Sequence, residues 1–377
     1  MNPSVALVRC ATYDDQAVQD ATQRAVDLVG GIDAYVQPGQ RVLVKPNLVR
    51  AAPLREMVCT HPAVVKAVVR LVQQAGAVPV IGDSPGGPFV TPWLRAVYGT
   101  SGMTRVAQET GAELNWNLAA SHVSHPEGRR IKNLEVADFV SEADVIISLP
   151  KLKTHGLMQL TGATKNLFGV IPGTTKAAYH AKFPQPEHFG DMLLDVLTLI
   201  RPALTIMDSI VAMDGPGPSA GDPFPVGALL ASSDGVAMDV VAAYLVDMDV
   251  QHIYPLRAAV ERGLSTGLAS DVRILGDSLS EARVQGFRAP ETHGPTRGFG
   301  LLVSQVVKQW FVAAPISNAS CIGCGVCVAS CPVDAITVAE GRAHMDLDVC
   351  IRCYCCHELC PERAVDLRKP WLGRALS

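Results

Sequence analysis

The sequence lacks any apolar run long enough to read as a membrane span. Its most apolar late stretch, residues 298–316, is broken by Gln305, Lys308 and Gln309, short of the roughly 18 uninterrupted apolar residues a span requires. That stretch reads as an amphipathic connector. The first 30 residues lack a basic head followed by an apolar run and carry Asp14, Asp15, Asp20 and Asp27, so no secretory signal is expected and the cytoplasm is the expected location. An excess of positive charge is missing too: 32 basic and 36 acidic side chains leave a net charge of −4, which argues against a general nucleic-acid binder. Cysteine is nearly absent from the first 320 residues, where Cys10 and Cys59 stand alone and read as buried thiols. What is present is 377 residues with 48% hydrophobic content, enough for two or three domains with a sizeable core.

The other nine cysteines fall between Cys321 and Cys360. Cys321, Cys324, Cys327 and Cys331 precede Pro332; Cys350, Cys353, Cys356 and Cys360 precede Pro361. Both runs read C-x2-C-x2-C-x3-C-P, the bacterial ferredoxin spacing, in which the fourth cysteine of each run ligates the other run's cluster. Two 4Fe-4S clusters are therefore expected, one on Cys321, Cys324, Cys327 and Cys360, the other on Cys350, Cys353, Cys356 and Cys331. Zinc sites usually pair two C-x2-C hooks across a longer gap, and disulfides are disfavoured in a reducing compartment. Cys355 lies off the spacing and reads as an unligated neighbour. Gly323 and Gly325 suit a backbone wrapped tightly round a cluster.

Upstream, short apolar runs at residues 5–8, 41–44, 78–81, 145–149, 204–207 and 228–231 read as strands. Helical spacing of apolar residues marks 17–29, 61–74 and 189–200. Continuously apolar strands separated by helices imply an α/β fold with a mainly parallel sheet covered on both faces, joined here to a small α+β ferredoxin-like domain. The expected division is 1–300 for the α/β domain, 301–316 for the connector and 317–368 for the ferredoxin domain. Ligands of such sheets bind beyond the carboxyl ends of the strands. There the sequence places Lys45-Pro46-Asn47, a loop from Gly82 and Asp83 to Gly87, Lys151, Lys153 and His155, then Asp208 and Ser209. Any one of these loops could be a turn with incidental polarity; four together argue for a site. Asp208 and Asp214 fit acid–base, ligand-contact, capping or turn roles.

Residues 145–186 contain no Asp or Glu, where about four would be expected from 36 in 377, yet hold Lys151, Lys153, Lys165, Lys176 and Lys182 with His155 and His180. The lysines lack local partners, which suits either a solvated cationic surface or a pocket for a phosphate or carboxylate. Glycines and prolines in this stretch read as a shaped loop. No P-loop is present, so nothing points to nucleotide hydrolysis.

The strings VLVKPNLV at 42–49, GDSPGG at 82–87, and LPKLKTH and TGATKNLFGVIPG within 149–173 resemble the domain of unknown function family 362, over about residues 5–277. Members of that family are often fused to a two-cluster ferredoxin domain. The resemblance implies the same architecture here and picks out Lys45, Asn47, Asp83, Lys151, Lys153, His155, Lys165 and Asn166 as pocket residues, without supplying a substrate. The expected activity is delivery of electrons to a small anionic substrate, with an electron donor or acceptor protein as partner. An electron relay between proteins, or a cluster-dependent sensor or maturation factor, remains the alternative.

Overall fold

Six short runs of Val, Ile, Leu and Ala become neighbouring strands because each is apolar on both faces and needs cover on both. The structure, a computed structural model, describes residues 2–290 and 312–368. In chain order the large domain forms β1 (Ser4–Arg9), β2 (Arg41–Pro46), β3 (Val78–Ile81), β4 (Glu113–Leu114), a hairpin of β5 (Ala120–Ser124) and β6 (Asn133–Ala137), β7 (Val145–Leu149), β8 (Lys151–His155), β9 (Gln159–Thr161), β10 (Leu204–Asp214), β11 (Asp222–Ser232) and β12 (Arg273–Gly276). The main sheet runs β12-β1-β11-β10-β7-β2-β3-β4, with β8 beside β10 and β9 beside β8. β12–β1, β10–β7, β7–β2, β2–β3 and β3–β4 are parallel. β11 runs antiparallel to both neighbours. The mainly parallel α/β reading holds.

Alternation along β1 sends Ala6 and Val8 to one face and Val5 and Leu7 to the other. On the first face pack the helices Asp15–Leu28 and Pro62–Gln74. The former starts at Asp14, whose side chain accepts the amides of Gln16 and Ala17; the latter has Pro62 in its first turn, where a missing N–H costs nothing. Gly235–Leu245, buried on almost every side, packs on the other face. Each fully buried Val or Leu contributes roughly 1.5–3 kcal/mol, so this double cover makes the sheet a rigid base for what lies at its edge.

Two stretches differ from the sequence reading. Residues 151–155, read as a loop, are the buried strand β8; Pro150 ends β7, and the chain resumes alongside β10 with Lys151 opposite Asp208 and Lys153 opposite Met213. Residues beyond 155, also read as loop, hold β9, the short helix Ala163–Asn166 and the helix Thr175–Lys182.

In the C-terminal domain Ala314–Ser317 pairs antiparallel with Val365–Arg368, and Ile336–Ala339 with Arg342–Met345. Short helices span Val326–Ala329 and Cys355–Leu359. Residues 301–311 of the expected connector lie outside the described residues.

Candidate functional site

The ends of β2, β3 and β7–β8 converge on a cavity of about 100 Å³ whose lining comes from both domains. Asn47, Asp83, Lys151, Lys153, His155, Lys165 and Asn166 line it, as do Lys176 and His180; Ser330, Cys355, Glu358 and Leu359 of the C-terminal domain form its roof. Lys45 is not in the lining. It lies beneath, fully buried, 2.7 Å from Asp83 Oδ1, and donates to the carbonyl of Asn166 at 2.7 Å. Asp83 Oδ2 accepts the Leu48 amide at 2.8 Å. A Cβ on Gly169 would stand 2.2 Å from Asp83 Oδ1 and 2.7 Å from Lys45 Nζ, so only glycine lets the chain cross this pair.

Lys45 thus has an acid partner, and among the lysines of the acid-poor stretch, which have no local acid, Lys151 finds one from a distant strand. Lys151 pairs with Asp208 of β10 at 2.8 Å, and both groups bond the Tyr13 hydroxyl, at 2.7 and 2.8 Å. Asp208 also accepts the His61 amide. Asp214 instead binds Arg288, outside the lining. The other three lysines make no ion pair among the described residues. Lys153 donates to Asn47 Oδ1 at 2.6 Å and the Val58 carbonyl at 2.7 Å. Lys176 donates to Ser84 Oγ and the Pro85 carbonyl. Lys165 stands 4.6 Å from the centre of the Phe168 ring, a cation–π contact. Burial lowers the pKa of all three, to about 7 for Lys153 and Lys176.

His155 Nδ1 accepts the amides of Leu157 and Met158, so its proton is on Nε2, which has no hydrogen-bond partner. Glu358 Oε1 is 3.5 Å away. Burial drives the His155 pKa well down and lifts that of Glu358 to about 7, so this contact is between groups that favour their neutral forms. Asn166 Oδ1 and His180 Nδ1 are likewise without partners; burial holds His180 near 3.

The domains meet through specific contacts. Ser219 Oγ donates to the Glu358 carbonyl at 2.7 Å, and Arg363 approaches Glu56, which also holds buried Arg50. A Cβ on Gly86, which lines the cavity, would meet Leu359 Cδ2 at 2.1 Å, so this glycine also seats the roof helix.

The cysteines fall into groups. Burial raises the pKa of Cys327, and the sulfurs of Cys324, Cys360 and Cys321 raise it further; burial likewise raises Cys350, with added repulsion from Cys353 and Cys331. Amides of Ala335, Ala343, Arg352 and Ala364 point at the sulfurs of Cys331, Cys321, Cys350 and Cys360. Crowded thiols met by backbone N–H donors suit iron–sulfur clusters, whose iron compensates the thiolate charge. Cys10 and Cys59 are buried. Cys355 is buried against the cavity, a placement its spacing could not reveal. Lys176 and His180, absent from the residues the family resemblance picks out, were marked by the acid-poor stretch; Glu358 carried no local signal.

A family model described as a domain of unknown function, DUF362, matches residues 42–244, and a 4Fe-4S dicluster domain model matches 314–361. The C-terminal domain is therefore a ferredoxin-type iron–sulfur domain, with the electron-transfer role such domains carry. A thylakoid-associated protein of Synechocystis sp. is 36% identical over 319 residues, 83% of this chain and 96% of that protein. A ferredoxin of Alicyclobacillus acidocaldarius is 38% identical over 52 residues, 13% of this chain and 67% of that protein. The lactate racemase apoprotein of Thermoanaerobacterium thermosaccharolyticum superposes with a TM-score of 0.41 at 14% identity, covering 66% of this chain and 58% of that one. Among the described residues no helix is long and apolar enough to cross a membrane.

Proposed function

The chain belongs to the domain of unknown function family 362, and on that premise we propose that it delivers electrons from its ferredoxin domain to a small anionic substrate held in the cavity beneath. The observation that carries this reading is the shared lining: residues of the cysteine-bearing helix Cys355–Leu359 roof a cavity walled by Lys153, Lys165 and Lys176. When bound, two 4Fe-4S clusters, on Cys321, Cys324, Cys327 and Cys360 and on Cys350, Cys353, Cys356 and Cys331, supply one-electron chemistry at low potential.

The chain's own residues bind and protonate. The three lysines hold the anion and stabilise negative charge that develops on it. His155 offers its Nε2 proton to the bound group. Lys45 and Asp83 fix the backbone that presents Asn166. Ser330 and Cys355 adjoin Cys331 and Cys356 of the second set and Leu359 adjoins Cys360 of the first, so both sets border the roof, while the exposed Ile322 and Cys324 favour a partner redox protein at the first. The reducing cytoplasm suits both the thiols and the clusters.

The test is to incubate the anaerobically reduced full chain with a metabolite extract. Consumption of a small anion together with cluster reoxidation is expected. No consumed species and an unchanged cluster spectrum would leave the relay reading in its place.

A further inference from the structure

The charges and the unpartnered atoms of the cavity define its ligand more narrowly. Lys45 and Lys151 are balanced by Asp83 and Asp208. Lys153, Lys165 and Lys176 face one carboxyl group in the lining without an ion pair, that of Glu358. Burial lowers the pKa of these lysines, and an entering anion holds them in their charged form; three such ammonium groups against at most one carboxylate leave about two charges for the anion to neutralise.

Two of the unpartnered atoms have fixed roles. With Nδ1 occupied by backbone amides, His155 Nε2 is a donor. The Asn166 amide nitrogen donates to Ser148 Oγ and to the Lys45 carbonyl, so its free Oδ1 is an acceptor. An orphaned buried acceptor costs about 1–3 kcal/mol unless a ligand or water serves it. The space is about 100 Å³; at ~10–15 Å³ per water-sized site, that is room for about seven to ten non-hydrogen atoms.

Resting on the anionic-substrate reading above, we propose that the cavity binds a small dianion, a dicarboxylate or phosphate ester, that also carries a hydroxyl group for Asn166 Oδ1. The lysines take the two charged ends and His155 donates to one of the ligand's oxygens.

The test is calorimetric titration of the cluster-loaded full chain, oxidised and anaerobic, with malate (both enantiomers), glycerol 3-phosphate, succinate and lactate. Malate or glycerol 3-phosphate is expected to bind at least about tenfold more tightly than lactate, since a charge-assisted contact is worth roughly 1.5–3 kcal/mol. Succinate, lacking the hydroxyl, should fall below malate, and Asn166→Ala should close that gap. Lys165→Met and Lys176→Met, with iron content and cluster absorption unchanged, should each bring dianion affinity down towards that of lactate. Lactate binding as tightly as the dianions, and equally in both lysine variants, would overturn the dianion while leaving the anionic-substrate reading intact. No binding by any of the four would overturn both.

Discussion

Asp83→Asn tests the foundation of the site, because it removes one charge from a pair shielded almost completely from water. Lys45 is 0% and Asp83 2% exposed, with 2.7 Å between them. The asparagine can still accept the Leu48 amide, but Lys45 is left as a buried ammonium without a counter-charge, at a cost of about 3–5 kcal/mol. At roughly 2–4 °C per kcal/mol for a domain of this size, the melting temperature should fall by about 6–20 °C. Lys45→Met leaves the mirror-image problem: burial raises the pKa of Asp83 as it lowers that of Lys45, so the survivor in either variant can shed its charge by gaining or losing a proton. The double variant leaves no unpaired charge and should cost less than the two single changes summed, by about 1–3 kcal/mol. The assay is urea denaturation of the anaerobic full chain followed by far-ultraviolet circular dichroism, with iron content measured in parallel. Additivity within about 0.5 kcal/mol would show that the pair is not coupled and refute the reasoning.

Anaerobic protein should contain about eight irons and eight acid-labile sulfides per chain, and Cys355→Ser should retain them; loss of a whole cluster in that variant would make Cys355 a ligand. Lys153 and Lys176 titrate near 7 in the fold against 10.5 unfolded, so between those values the unfolded chain binds more protons and stability of the anion-free protein should rise with pH. Equilibrium unfolding at pH 7, 8.5 and 10 measures this contribution, which Lys153→Met should diminish; an identical pH slope in that variant would contradict it. Gly86→Ala should displace the roof at Leu359 while sparing the sheet, so calorimetry should show weaker binding of malate or glycerol 3-phosphate with nearly unchanged far-ultraviolet dichroism.

The strands easiest to read were those whose apolar runs coincide with their pairing. Residues 78–81 and 145–149 match β3 and β7, each ended by a local signal, Gly82 or Pro150. β10 runs on to Asp214, past polar Asp208 and Ser209, because its ladder with β11 supplies hydrogen bonds that no local pattern announces. The same cause hid β8: Lys151 and Lys153 look like loop residues until β10 and β9 are placed beside them. In the site, strand ends bring Asn47, Asp83, Lys151, Lys153 and His155 into one lining, whereas Lys45 supports the wall from behind. The acid-poor stretch located the cationic wall but not that Lys151 within it is matched, since Asp208 arrives from another strand. Glu358 and Cys355 were illegible as pocket residues because docking of one domain on another leaves no periodicity in either.

The roof has a consequence for the life of the protein in a cell. Helix Cys355–Leu359 holds its place between two cysteine ligand positions, and ligand loops of this kind take their shape from the metal they enclose. A chain that has not received its iron should therefore also lack a finished ligand chamber. On the proposed function, iron supply would then act as a licence: in scarcity, newly made chains would not hold an anion they could not reduce, and the two halves would become competent at the same moment.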